Sequence, residues 1–332
     1  MPLRTKYAGA MTSPLGLTIV VVTYQRQSLL QLLLDSLAGL QIPPAHIVVV
    51  DNESSDETKK IVNALAARLD QTTVHYHPLE QNAGGAGGFS VGVEAALQLD
   101  AEWLWLMDDD VKVLPEATAI LAPWLARAVA NDTRVLQVGR RDVNGRDFYW
   151  QSDFNTAFGI PNPLSPARFK VGKKSHVINT MCFEGGIVHR SIVDEIGLPD
   201  ARFFIYWDDT IYGYLASKHT KPILIDERLI QRTRSLNSIR IGRIRRLNET
   251  SDMTRYYIMR NRGYMAQYFK WNGDYQPVLF GIGTVITLAK EIIRLRLSDD
   301  RRYGLHQLLD GLRDSRPLMR DKTWKPMPTV GA

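Results

Sequence analysis

The feature that most constrains this chain is an alternation, across its first hundred residues, of short β-branched apolar runs with stretches of helical periodicity. Leu17–Thr23 (LTIVVVT), residues 46–50 (HIVVV), the weaker 74–77 (VHYH) and 103–107 (WLWLM) read as strands. Runs as apolar as the first, second and fourth suit strands buried on both faces. Residues 28–40, with Ser28 as N-cap, 57–69 and 91–99 read as the intervening helices. Tight strand–helix alternation builds βαβ units and a parallel sheet, and ligands bind at the carboxyl ends of its strands. Three polar clusters fall at such ends: Thr23-Tyr24-Gln25-Arg26, Asp51-Asn52-Glu53-Ser54-Ser55-Asp56 and Asp108-Asp109-Asp110.

Residues 115–130 read as a further helix, and Asn144-Gly145 between polar-aromatic arms as a hairpin turn. Residues 155–174, rich in Pro, Gly and basic side chains, read as a long loop with the character of a lid. Residues 176–183 return to strand and 189–196 to helix. After Arg232 the pattern turns helical, over 252–269, 277–297 and 302–312. The composition shift near residue 235 divides the chain into an α/β domain, 1–235, and a helical, basic region, 236–332.

With 332 residues, 45% of them hydrophobic, the chain can bury a sizeable core, which excludes a disordered protein. A single cysteine, Cys182, excludes an internal disulfide framework and a multi-cysteine zinc site; in its apolar setting it reads as a buried, inert thiol. No apolar run reaches the roughly 20 residues of a membrane-spanning helix. The N-terminus, broken by charged, Gly and Pro residues, lacks a signal-peptide layout. The expectation is a soluble protein or one peripheral to a membrane. The net charge of +6 is concentrated late, with six arginines and no acid between Gln231 and Leu247. Such a patch attracts phosphorylated substrates, anionic lipid headgroups or nucleic acid, or is simply solvated. Nucleic acid ranks lowest, because no recognition motif accompanies the patch.

Three consecutive acids at a strand end repel one another unless a cation joins them. Asp108 and Asp110 share a side if the backbone stays extended, which suits Mg²⁺ or Mn²⁺; a solvated acidic turn is the alternative. Asn82 to Gly92 (NAGGAGGFSVG) holds five glycines before a helix, so its backbone can approach a phosphate, or form a flexible turn. It matches neither common phosphate-loop pattern. Asp208 and Asp209 lie in an aromatic stretch (FFIYWDDTIYGY) that would raise a carboxylate's pKa towards that of a general base; a helix cap is the other role for them. No G-x-S-x-G or H-E-x-x-H element is present, and the His75/His77 pair reads as structural.

Taken together, Thr23-Tyr24, Val48-Val49-Val50-Asp51-Asn52-Glu53-Ser54-Ser55-Asp56, the Asp108-Asp109-Asp110 triplet and Trp207-Asp208-Asp209 resemble the inverting nucleotide-sugar glycosyltransferases of family 2. The resemblance covers roughly residues 15–235 and implies a GT-A fold, an α/β (Rossmann-like) mostly parallel central sheet, here with a helical C-terminal extension. The run Gly84-Gly85-Ala86-Gly87-Gly88-Phe89 before Trp103-Leu104-Trp105-Leu106-Met107 resembles the bacterial galactofuranosyltransferase branch, and Tyr256-Tyr257 and Arg260-Asn261-Arg262 recur there too.

The resemblance implies roles. Thr23, Tyr24, Arg26, Asp51, Asn52 and Asp109 would hold the nucleotide sugar, with Asp51 at uracil or ribose. Asn82, Gly84, Gly85, Gly87 and Gly88 would line the pocket for donor sugar and phosphates. Asp108 and Asp110 would bind a divalent metal, Mn²⁺ or Mg²⁺. Asp209, ahead of Asp208, would take the acceptor proton, with Trp207 and Glu184 near the acceptor. Where the family often supplies a histidine as third metal ligand, this chain has Gln231-Arg232-Thr233, so two aspartates and water hold the metal or Arg232 lends charge near the diphosphate. The implied activity is transfer of galactofuranose from UDP-galactofuranose to a lipid-linked cell-surface glycan, by a protein of the cytoplasm at the inner membrane face; a homo-oligomer stays open. The alternatives are a rhamnosyltransferase using dTDP-rhamnose and a non-catalytic nucleotide-sugar- or lipid-binding protein. A nucleotidyltransferase would carry glycine after the first strand, and Thr23 to Gln27 has none.

Overall fold

The computed structural model describes residues 15–148, 153–162, 173–234, 238–241, 245–248, 251–296 and 302–330. Every residue of β1 (Leu17–Thr23) is buried, as its unbroken apolar run requires. Its side chains divide by parity: Leu17, Ile19 and Val21 enter one core cluster, Val20 and Val22 another, so helices cover both faces of the sheet. From β1 the chain continues through α1 (Gln27–Ala38), β2 (His46–Asn52), α2 (Asp56–Ala66), β3 (Thr73–Leu79), α3 (Gly84–Leu97) and β4 (Trp103–Asp108). These strands lie side by side in the order β4-β1-β2-β3, all parallel. After β5 (Val111–Val113), α4 (Ala117–Ala128) and β6 (Val135–Arg141), the expected hairpin leads into β7 (Asp147–Phe148).

The chain then forms the small β8 (Phe154–Asn155) and β9 (Ile160–Pro161) pair, β10 (Ser175–Val177), β11 (Gly186–His189), α5 (Arg190–Ile196), α6 (Asp208–Ala216) and β12 (Ile223–Arg232). β11 inserts antiparallel between β4 and β6, and β12 runs parallel to β6. The result is a mixed α/β, GT-A-like arrangement around a mostly parallel central sheet. A short β13 (Ser238–Ile241) and β14 (Arg245–Asn248) pair precedes α7 (Asp252–Arg260), α8 (Arg262–Trp271), α9 (Pro277–Arg296) and α10 (Arg302–Arg320). Among the described residues, no helix is long and apolar enough to cross a membrane.

Several expectations need correction. Helix α1 starts at Gln27 after Arg26, so Ser28 lies inside it and caps nothing. Residues 176–183 are strand only to Val177, and Cys182 stands outside any strand. Neither β11 nor β12 is anticipated by the sequence, and the single helix expected over 252–269 is two helices meeting at Asn261. Much of the expected lid, residues 163–172, lies outside the described residues.

The glycine run is a helix start rather than a loop. Gly84 has φ +72, and a Cβ there would meet the Phe204 carbonyl oxygen at 2.1 Å. A Cβ at Gly88 would stand 2.5 Å from a methyl of Val22, and one at Gly92 2.4 Å from a methyl of Val20, so these glycines let α3 lie directly on β1. Gly85 alone in the run has open space beside it. We expect Gly88→Ala and Gly92→Ala each to destabilise the fold by about 1–3 kcal/mol through overpacking. Gly85→Ala should change stability by no more than about 1 kcal/mol, in the stabilising direction. Urea unfolding of the three variants measures this ordering.

Candidate active site

The carboxyl ends of β1, β2 and β4 sit side by side, with Thr23 in register with Asp51 and Val22 with Asp108. The three acids after Met107 have separate fates. Asp109 is buried, accepting from the Thr23 hydroxyl at 2.8 Å on one oxygen and from Arg26 at 3.1 Å on the other. Thr23, Arg26 and Asp109, expected to hold the donor, bond to one another, and the Arg26 side chain and Tyr24 beside them remain exposed. Burial raises the Asp109 pKa, and Arg26 and Thr23 oppose that rise.

Asp108 and Asp110 face the other way and meet Glu184, whose carboxylate approaches from the turn before β11; ligand oxygens of all three lie within 4.8 Å of one another. The structure therefore groups Glu184 with the acidic pair rather than with Trp207. Arg232, at the end of β12, reaches Asp110 at 3.4 Å and Glu184 at 3.2 Å, and Arg140 of β6 reaches Glu184 at 3.6 Å. Both guanidinium contacts fall on Glu184 Oε2, which leaves Oε1 buried without a hydrogen-bond partner. Burial, then repulsion from Asp110, Glu184 and Asp109, pushes Asp108 well above the usual carboxylate range. An orphaned buried oxygen beside two hard-oxygen neighbours is a donor set that fits a divalent cation such as Mg²⁺ or Mn²⁺.

Asp51, near the end of β2, is buried. Its Oδ2 accepts from the Tyr76 hydroxyl at 2.8 Å and the Ser55 backbone N–H at 2.9 Å, while Oδ1 is buried and unpartnered. Asn52 braces the neighbouring loop: its amide nitrogen donates to Asn82 Oδ1 and to the Gly84 carbonyl, and its oxygen accepts from the Ala83 N–H at 2.7 Å. Asn82 in turn accepts from the Gly84 N–H at 2.8 Å. Both asparagines shape the loop that enters α3, and Gly87 and Gly88 pack against Ala83 and Val22. Of the glycines expected at the donor sugar, Gly85 alone leaves room beside it.

Asp208 and Asp209 open α6. Asp209 accepts from the Thr210 N–H at 2.5 Å and the Thr210 hydroxyl at 3.1 Å, and from the Cys182 thiol. Arg140 donates to Cys182 Sγ at 3.4 Å, so one guanidinium links Glu184 to the thiol that touches Asp209. Burial and the neighbouring Asp209 push Asp208 up to about 8, and burial also raises Asp209. Sequence reasoning missed Arg140, whose only signal was its place in the Arg140-Arg141 pair that follows a mostly apolar run.

The segment that carries these aspartates is strained, with Phe204, Tyr206 and Trp207 all at positive φ, between 63 and 75. Asn261, fully buried between α7 and α8, holds it: its side-chain nitrogen lies 2.9 Å from the carbonyl oxygens of Phe203, Ile205 and Tyr206. Trp207, expected beside an acceptor, is a core residue whose indole N–H donates to the Ile258 carbonyl at 3.1 Å. Replacing Asn261 by Ala takes this donor from the Ile205 and Tyr206 carbonyls, each worth about 1–3 kcal/mol when buried, while Phe203 keeps Arg260 and the Ile205 N–H. We expect a clear fall in melting temperature, which thermal melts of the variant and wild type measure.

Comparison with known proteins follows the same lines. The family profile described as Glycosyl transferase family 2 matches residues 18–197. The galactofuranosyltransferase GlfT1 of Mycolicibacterium smegmatis is 27% identical over 263 residues, 74% of this chain and 81% of its own. Its counterpart from Mycobacterium tuberculosis is 29% identical over 256 residues, 74% of this chain and 80% of its own. Among solved structures, S. aureus TarS 1–349 in complex with UDP-GlcNAc superposes with a TM-score of 0.55 at 18% identity, covering 91% of this chain and 81% of that one. The mannosyltransferase PcManGT from Pyrobaculum calidifontis, in complex with GDP-Man and Mn²⁺, gives 0.52 at 14% identity, covering 96% and 92%.

Proposed function

The chain belongs to glycosyl transferase family 2, and from that premise we propose that it moves galactofuranose from UDP-galactofuranose to a hydroxyl of a lipid-linked cell-surface glycan, with inversion at the anomeric carbon. The observation that carries this reading is the pairing of the Asp108, Asp110 and Glu184 cluster with Asp209 across the Arg140–Cys182 bridge. The choice of galactofuranose rests on relatives of that activity aligned over 74% of the chain.

The orphan Asp51 Oδ1 would accept the uracil N3–H, with Tyr76 and Ser55 fixing the carboxylate in place. Asp108, Asp110 and Glu184 would hold a divalent metal, whose charge would offset that developing on the leaving diphosphate. Asp209 takes the proton of the acceptor hydroxyl as its oxygen bonds to the anomeric carbon. The bond to the diphosphate breaks on the opposite face, so the configuration inverts without a covalent enzyme intermediate. Asp208 keeps a second carboxyl group beside the base, and burial together with repulsion from Asp209 pushes it up to about 8.

Two outcomes follow for radiolabelled donor transfer to candidate glycolipids. Asp209→Asn should bind donor and lose about 10²–10⁴-fold in transfer, since an amide cannot accept the proton. Asp208→Asn should stay active and lose far less, since it leaves the Asp209 carboxylate in place. A larger loss for Asp208→Asn would transfer the role of base to that residue.

We also propose that α9 rests on an anionic membrane surface. One face of the helix packs inward through Phe280, Gly283, Thr287, Glu291 and Leu295. The other exposes Val278, Ile282, Val285, Ile286 and Ile293, with Val278 73% and Val285 65% accessible. These positions form one continuous helical stripe, ending at the exposed Arg296. An apolar stripe with a cationic end on a chain of net charge +6 complements anionic lipid. Two further cations do not contribute: Arg294 is buried against Glu291 at 2.5 Å, and Arg232 lies in the acidic cluster. In flotation at low salt, the chain should rise with anionic vesicles, and Val285→Glu with Ile286→Glu should abolish that. Failure to float, together with concentration-dependent dimerisation, would assign the stripe to a subunit contact.

A further inference from the structure

The most unusual group at the site is Arg232, a cation lodged where a metal ligand is expected. Its two terminal nitrogens contact different carboxylates, Nη2 that of Asp110 at 3.4 Å and Nη1 that of Glu184 at 3.2 Å. The mount is rigid. Arg232 is in register with Val111 across the β12–β5 ladder, and the next residue, Thr233, donates its N–H to the Asp110 carbonyl at 2.8 Å. The guanidinium stands over the Phe148 ring at 5.2 Å, and its side chain is 8% exposed. Arginine keeps its proton, so this charge is permanent.

We propose that Arg232 is a built-in counter-ion of the acidic cluster, which weakens metal binding by the nucleotide-free protein and makes tight binding depend on the donor diphosphate. This rests on the metal-site reading above. Once all three carboxylates are ionised, as ligands of a cation must be, Arg140 and Arg232 leave the cluster one negative charge. A divalent cation turns that into one positive charge, and the diphosphate restores the balance, so each ligand favours the other. Without Arg232 the cluster would carry two negative charges and hold a cation alone.

The test is the affinity of the nucleotide-free protein for Mn²⁺ alone, followed by the electron paramagnetic resonance of free Mn²⁺, for wild type, Arg232→Gln and Arg232→Lys. We expect Arg232→Gln to bind Mn²⁺ about tenfold or more tightly than wild type, a typical coupling magnitude. Arg232→Lys keeps the charge but reaches one carboxylate at a time, and should fall between them. Adding Asp110→Asn to Arg232→Gln should cancel the gain, which places the bound ion at this cluster. Equal or weaker Mn²⁺ binding by Arg232→Gln overturns the proposal while the metal site stands. If Arg232→Gln does not fold, weaker binding by Arg232→Lys than by wild type does the same. If no folded variant binds Mn²⁺ and wild type with UDP does not either, the metal site falls and this proposal with it.

Discussion

The architecture turns on one constraint, the burial of negative charge where β4 leaves the sheet. A strand of Trp, Leu and Met with no exposed face ends in three consecutive carboxylates, and charge in such a place is costly unless paired. Asp109 is neutralised from the β1 side by Arg26 and Thr23. Asp110 and Glu184 are met from the opposite side by Arg232 and Arg140. Those demands fix the turn after β1, the end of β6, the turn before β11 and the end of β12 around a single point. With its carboxylates ionised the cluster has fewer cations than anions, and under the proposed function a divalent cation would make up that difference.

The helical C-terminal region is bound into this arrangement. Asn261 donates into the strained 203–207 segment, Trp207 donates to Ile258, and Phe203, Trp207, Ile211 and Tyr214 share a core with Met265, Tyr268, Phe269 and Phe280. Arg262, fully buried, ties α8 to α9 through Thr284 and to the Phe158 and Gly159 carbonyls of the β8–β9 segment. The aspartates that open α6 are therefore positioned from the far end of the sequence. Backbone strain at Phe204, Tyr206 and Trp207 persists because these contacts over-determine it.

What the sequence made legible was whatever depends on local pattern. The β-branched runs of β1 and β2 and the apolar run of β4 announce buried parallel strands, and the acids following them mark the site edge. β12 stayed hidden because Asp226, Glu227 and Arg228 interrupt its apolar residues; Arg228 answers Asp147 across the sheet, and the ladder shifts register there. The glycine run looked like a loop because intrinsic propensity disfavours glycine in helices, whereas contact with Val20 and Val22 demands it. The break at Asn261 carries no local signal, since its cause is three carbonyls from a distant segment. Glu184 and Arg140 join the site only through folding, so spacing along the chain could not associate them with Asp108 and Asp110.

The proposed reaction requires the nucleotide, the cation and the acidic cluster to meet at one point. Anomalous diffraction from crystals grown with UDP and Mn²⁺ tests this most directly. The account predicts a manganese peak among the oxygens of Asp108, Asp110 and Glu184, in contact with the diphosphate, with uracil against Asp51 and Asp209 facing the open side of the phosphate. Manganese bound elsewhere, or a nucleotide seated away from Asp51 with the cluster still closed by Arg232, would contradict it.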